Sequence, residues 1–142
     1  MKYVIVYWSR YGNGKKIINY VGEKLKDKKA NVDIFKISEV DPLSIPDADA
    51  YIFSAPTEAF SIQRDMKRFL KQLDNMGEKK YALINTHARK NKNSLGKMEK
   101  ILSKKDMEKI AGIDFQVVEG FREGNGLHPN WKENIDEFVK KL

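Results

Sequence analysis

Apolar residues along this chain recur in two alternating rhythms. Tyr3–Tyr7 (YVIVY) is an unbroken apolar run rich in β-branched residues, as a strand covered on both faces would be. Ile17, Ile18, Val21 and Leu25 then recur at helical spacing, with Lys and Glu between them. Val32–Ile37 (VDIFKI) alternates apolar and polar, the pattern of a strand nearer a sheet edge. Ser38–Ala48 holds Pro42 and Pro46 and reads as a loop with at most a short helical turn. Ala50–Ala55 (AYIFSA) predicts a third strand, and Ile62, Met66, Phe69, Leu70 and Leu73 predict the helix after it. Tyr81–Asn85 (YALIN) predicts a fourth strand, followed by a helix carrying Leu95, Met98, Ile101 and Leu102. Phe115–Gly120 (FQVVEG) predicts a fifth strand. Trp131, Ile135, Phe138, Val139 and Leu142 form the stripe of a last helix, with Pro129 near its first turn.

Strand–helix alternation of this kind predicts an α/β architecture: a three-layer, doubly wound, five-stranded parallel sheet with helices on both faces and right-handed crossovers. The 142 residues suit one domain, 1–142, with a proper core. In such sheets ligands bind beyond the carboxyl ends of the strands, where strand order reverses. That directs attention to the loops after strands one, three, four and five.

Composition narrows the chemistry. Cysteine is absent, which excludes disulfides, thiolate nucleophiles and Cys-ligated metal or iron–sulfur sites. No apolar run approaches the roughly 20 residues of a membrane span, and the chain opens on a strand-like run rather than a signal peptide. A cytoplasmic location is expected. The net charge of +7 comes from lysines in nearly every segment, most simply read as the coat of solvated helix faces. It also favours acidic partners or anionic surfaces. No RNA-binding module pattern is visible, and no nucleic-acid partner is expected.

The loop after strand one, Trp8–Gly14 (WSRYGNG), runs straight into the first helix. Unpaired N–H groups at a helix N-terminus bind phosphate, and Gly12 and Gly14 allow a tight backbone that brings amides to an anion. Ser9 and Asn13 add hydrogen-bonding side chains, and Arg10, Lys15 and Lys16 add charge. A Walker loop is excluded by Ser9 and Lys16, and a dinucleotide loop by Ile17 in the third glycine position. What remains is a hydroxyl-x-x-G-N-x pattern, through which the chain resembles the flavodoxin family. The match lies at Ser9, Gly12 and Asn13. Tyr11 and Gly14 replace residues that are usually hydroxyls there, so amides, or Arg10 and Lys15, must compensate.

The resemblance extends to the other loops and implies strand order 2-1-3-4-5 with FMN as cofactor. Ser54–Phe60 (SAPTEAF) is similar to the family's second flavin loop, with Ala55, Pro56, Thr57, Glu58, Ala59 and Phe60 in the ring-contacting stretch. Thr57 and nearby amides would bond ring heteroatoms, and Phe60 would stack on the ring or serve the core. The loop lacks the glycine whose peptide flips in many relatives. The loop after strand four brings Thr86, His87, Ala88, Arg89 and Asn93 towards the ring; it is basic where relatives are often acidic. Its INTHARKNKNS stretch also resembles the menaquinone-dependent protoporphyrinogen dehydrogenases. Gly120–Gly126 reads as a simple connection edging the site.

The function so implied is FMN-mediated electron transfer with other redox proteins, and the chain's charge leads to the expectation of partners with an acidic surface. Two alternatives stand beside it. One is an FMN-dependent dehydrogenase acting on protoporphyrinogen or a quinone. The other is a flavodoxin-like binding module without cofactor. In the first reading no side chain acts as acid, base or nucleophile, because the flavin carries the chemistry.

Overall fold

The computed structural model describes residues 1–90 and 92–142; Asn91, in the loop read above after the fourth strand, lies outside the described residues. The elements follow the alternation of the sequence: β1 (Lys2–Tyr7), α1 (Asn13–Asp27), β2 (Asn31–Lys36), β3 (Ala50–Glu58), β4 (Ser61–Ile62), α2 (Arg64–Gln72), β5 (Lys80–His87), α3 (Leu95–Ser103), β6 (Glu108–Gln116) and α4 (Trp131–Val139). The main sheet is parallel, in the order β2-β1-β3-β5-β6. This is the expected 2-1-3-4-5 once the short β4 is set aside. Ser38–Ala48 holds no helix longer than the 3-10 turn Ile37–Glu39, as its two prolines predict.

Each face of the sheet carries its own core, because successive strand residues point to opposite sides. Ile17, Ile18, Val21 and Leu25 of α1 and Ile135 and Phe138 of α4 cover Ile5, Ile52 and Ile84 on one face. Met66, Phe69 and Leu70 of α2 and Met98 and Leu102 of α3 cover Val4, Val6, Phe53 and Leu83 on the other. Most of these side chains are fully buried, which explains the unbroken apolar runs of β1, β3 and β5.

Two boundaries differ from the sequence reading. The fifth main strand runs over Glu108–Gln116, not Phe115–Gly120. Its pattern is interrupted by Gly112 and Asp114 and by an irregular register opposite Tyr81 and Ala82, so it lacks a clean apolar signature. The Val117–Val118 pair that suggested a strand only extends the ladder by one bond, from Val117 N–H to His87 C=O (2.8 Å). The chain then turns at Gly120, where φ is +92°.

The second difference concerns the segment after Ala55. The third strand continues to Glu58 and folds back as β4 through a two-residue loop, Ala59–Phe60, pairing Thr57 with Ile62 and Glu58 with Ser61. Pro56 is tolerated within the strand because β1 pairs only as far as Ser54. Beyond β1, the edge on which Pro56 lacks an N–H meets only Gln63, just past β4, whose N–H donates to the Pro56 carbonyl (3.1 Å), so the missing N–H breaks no ladder with β1.

Candidate functional site

The carboxyl ends of β1 and β3, the neighbours at which strand order reverses, open into a cleft of about 430 Å³. One wall is the Trp8–Gly14 loop. Ser9 Oγ accepts from Gly12 N–H (3.1 Å) and Lys15 N–H (3.4 Å), which ties the loop into a cup over the start of α1. Gly12 takes φ +97°, a left-handed conformation at the N-cap that glycine enters without steric cost. The amides of Ser9, Arg10 and Tyr11 donate to no acceptor among the described residues. The N–H groups in the first turn of α1 are free for the usual reason at a helix start. Ser9 uses its lone pairs within the loop and keeps its O–H for a ligand.

The second wall is the end of β3 with the β3–β4 hairpin. Arg10 clasps Glu58 across the two loops with a bidentate pair, Nε to Oε2 at 2.6 Å and Nη2 to Oε1 at 2.7 Å. That hydrogen bond pushes the Arg10 guanidinium above its ordinary pKa. The guanidinium also lies 4.7 Å from the centre of the Trp8 ring. Arg10 is therefore held by protein groups rather than left free to replace the missing loop hydroxyls.

Beneath this wall lies a polar knot centred on Asn85, which has no exposed surface. Its Oδ1 accepts from Thr57 Oγ (3.1 Å) and Ser94 N–H (3.0 Å), and its Nδ2 donates to Ala55 C=O (2.9 Å). Since the Thr57 proton goes to Asn85, the Ser94 hydroxyl is the donor in their 2.6 Å contact. The hydroxyl of Thr57 thus fixes the loops to one another and is not free to bond a ring.

The third wall is the end of β5. His87 is buried, with its Nδ1 2.6 Å from Arg89 C=O and its Nε2 2.7 Å from Asp114 Oδ2 on β6. The segment after β6 closes the fourth side, which the sequence reading treated as a simple connection. Asn13 Nδ2 donates to Phe121 C=O (2.7 Å), and Asn13 Oδ1 accepts from Gly126 N–H (2.9 Å). Lys16 Nζ bonds Gly124 C=O and Asn125 Oδ1. Gly124, at φ +77°, lies so close that a Cβ there would stand 2.7 Å from Tyr11 C=O. Phe121 meets the Tyr11 ring edge-on, with centroids 5.6 Å apart.

Of the residues singled out from sequence, Ser9, Arg10, Tyr11, Asn13, Gly14, Ala55, Pro56, Thr57, Glu58, Ala59, Thr86, His87 and Ala88 line this cleft. Gly12 and Lys15 border a second groove on the other side of the Trp8 loop. Phe60 and Arg89 line a smaller adjoining hollow, where Arg89 sits 4.8 Å over the Phe60 ring. Asn93 lies apart, its side chain accepting from Leu95 N–H at the start of α3. Trp8, Val117 and Phe121 line the cleft without having been singled out. The edge-on aromatic pair at Tyr11 joins residues far apart in sequence, and no local motif announces it.

The chain belongs to the flavodoxin domain family, whose sequence model matches residues 4–120. No curated protein matches it. Among solved structures it is similar to a flavodoxin from the domain Archaea, with a TM-score of 0.72, 18% identity and 99% of each chain covered. It is also similar to the Streptococcus pneumonia TIGR4 flavodoxin, with a TM-score of 0.77, 21% identity and 100% and 97% covered. Rubredoxin oxygen:oxidoreductase from Desulfovibrio gigas aligns with a TM-score of 0.80 and 16% identity. There, 99% of this chain matches only 35% of the longer protein. No helix among the described residues is long and apolar enough to cross a membrane.

Proposed function

We propose that this protein binds FMN in the cleft and passes electrons to and from a redox protein with an acidic surface. The observation that carries the reading is the cup of unpaired amides at the start of α1, opening on a cleft at the switch point of the sheet. The residues present fit the cofactor. The free amides of Ser9, Arg10 and Tyr11, the Ser9 hydroxyl and the first turn of α1 would hold the phosphate. With Arg10 on Glu58 and Asn13 on Phe121, these groups would do so mainly through backbone. A cleft of about 430 Å³ is of the size that encloses a small cofactor. Bound FMN would supply reversible electron uptake, and the chain would supply position, shielding and charge.

Tyr11, Pro56, Ala59, Thr86, His87 and Ala88 would flank the ring. Around the mouth, guanidinium groups lie over aromatic rings at Arg10–Trp8, Arg89–Phe60 and Arg122–Phe121. Tyr11, Phe60 and Val118 are exposed beside them. Apolar contact ringed by arginine suits an acidic partner, and the net charge of +7 would steer its approach.

The test is spectroscopic. Purified protein should show flavin absorbance, and apoprotein titrated with FMN should quench flavin fluorescence at one-to-one stoichiometry. A folded protein that leaves FMN fluorescence unchanged at high micromolar concentration would sink the reading.

A further inference from the structure

His87, in the cleft wall, and Asp114 behind it form a pair whose charge the phosphate cup does not use. His87 ends β5, and Asp114 sits on β6 diagonally across from it, two residues before the Gln116 that pairs with His87. Both ring nitrogens of His87 point at acceptors, one a backbone carbonyl and the other a carboxylate. A neutral imidazole has one N–H and can satisfy only one acceptor. The side chain of His87 is 4% exposed, so water cannot replace the missing bond, whereas Asp114 is 40% exposed.

We infer that His87 and Asp114 together hold one proton more than a neutral imidazole and a carboxylate would, so that an imidazolium sits in the cleft wall. Its compensating carboxylate lies behind it, towards solvent. The other charged side chains lining the cleft and its adjoining hollow are Arg10 and Glu58, paired with each other, and Arg89 and Lys92. The pair therefore places a fixed positive end at the wall where added negative charge would be stabilised. On the FMN reading above, from which this follows, that charge favours reduced over oxidised flavin. No proton or electron passes through His87. Electrons come from a reduced redox protein and protons from water.

One substitution gives opposite signs for the competing arrangements, and a second gives a further fall only if His87 is charged. In Asp114→Asn the amide can donate to Nε2, so His87 keeps both bonds as a neutral ring and the positive end is lost. The ratio of reduced to oxidised flavin affinity should fall about tenfold, equivalent to about 30 mV on a two-electron midpoint. His87→Gln, which leaves the carboxylate uncompensated, should lower it further. If His87 were neutral beside an ionised Asp114, Asp114→Asn would remove a negative charge and raise the midpoint, which overturns the inference. The apoprotein gives an independent readout. Nitrogen NMR of the His87 ring at neutral pH should show both nitrogens protonated in the parent and one bare nitrogen in Asp114→Asn. A bare nitrogen in the parent would overturn the proposal whether or not FMN binds. Failure to bind FMN with both nitrogens protonated would instead count against the functional reading alone.

Discussion

Single residues in this site do structural work that their type alone does not reveal. Asn85 closes the apolar run Tyr81–Asn85, and nothing local in the sequence shows its role. Its role is set by Ala55 and Thr57 about thirty positions earlier and by Ser94 nine later. Replacing it with Ala would leave the Thr57 hydroxyl proton and the Ser94 N–H without the acceptor they share, and would remove a donor to the Ala55 carbonyl. Buried polar groups so orphaned cost about 1–3 kcal/mol. Asn85→Ala should therefore lose about that much in urea unfolding, and FMN affinity should fall with it because the knot joins two walls of the cleft. Unchanged stability would mean that water or rotation re-satisfies the three groups. Asn13 teaches the same lesson. The motif located it, but its partners on the segment after β6 lie more than a hundred residues away, so only the fold shows that its amide is already bound.

At the scale of elements, the strong rhythms were legible and the weak ones were not. Strands buried on both faces and helices with one apolar stripe were predicted where they occur, because burial dictates their periodicity. The edge strand β6 has no clear strand signature, because Gly112 and Asp114 break its pattern. The β3–β4 hairpin carries no local turn signal, because neither loop residue is one that favours the turn. Ala59 and Phe60 have φ of +50° and +63°. A two-residue hairpin with both φ positive normally takes Asn-Gly. Each non-glycine residue in this region costs about 1–2 kcal/mol. The double substitution Ala59→Asn, Phe60→Gly should therefore stabilise the fold by about 1 kcal/mol or more, read as a higher urea midpoint. The same change removes the exposed ring under Arg89, so on the proposed function salt-sensitive electron transfer to an acidic partner should slow. A more stable variant with unimpaired transfer would separate the strained turn from partner recognition.

For the molecule as a whole, the resolved shifts in ionisation point mostly one way. Tyr3, Tyr7, Tyr51 and Tyr81 all have their phenol pKa raised above 10.0, by burial first and by nearby carboxylates second. They are divided between the two cores, Tyr3 and Tyr7 on one side of the sheet and Tyr51 and Tyr81 on the other. A raised folded pKa means that the folded state holds the proton more tightly than the unfolded chain. The contribution of these groups is fully present below pH about 10 and is lost as pH rises through the folded values. On the acid side, the carboxyl lowered among the resolved groups is Asp47, by its hydrogen bond to Lys79. That pair is exposed enough for its loss to matter little. Urea unfolding in steps from about pH 8 to 11.5 should show stability falling steeply above about pH 10, as buried phenols ionise only on unfolding. Phenolate absorbance in the folded protein should accordingly lag behind that of the chain in urea. Tyrosines that ionise together in the folded protein without loss of stability would mean that both cores admit water at the sheet, contrary to the burial of these four rings.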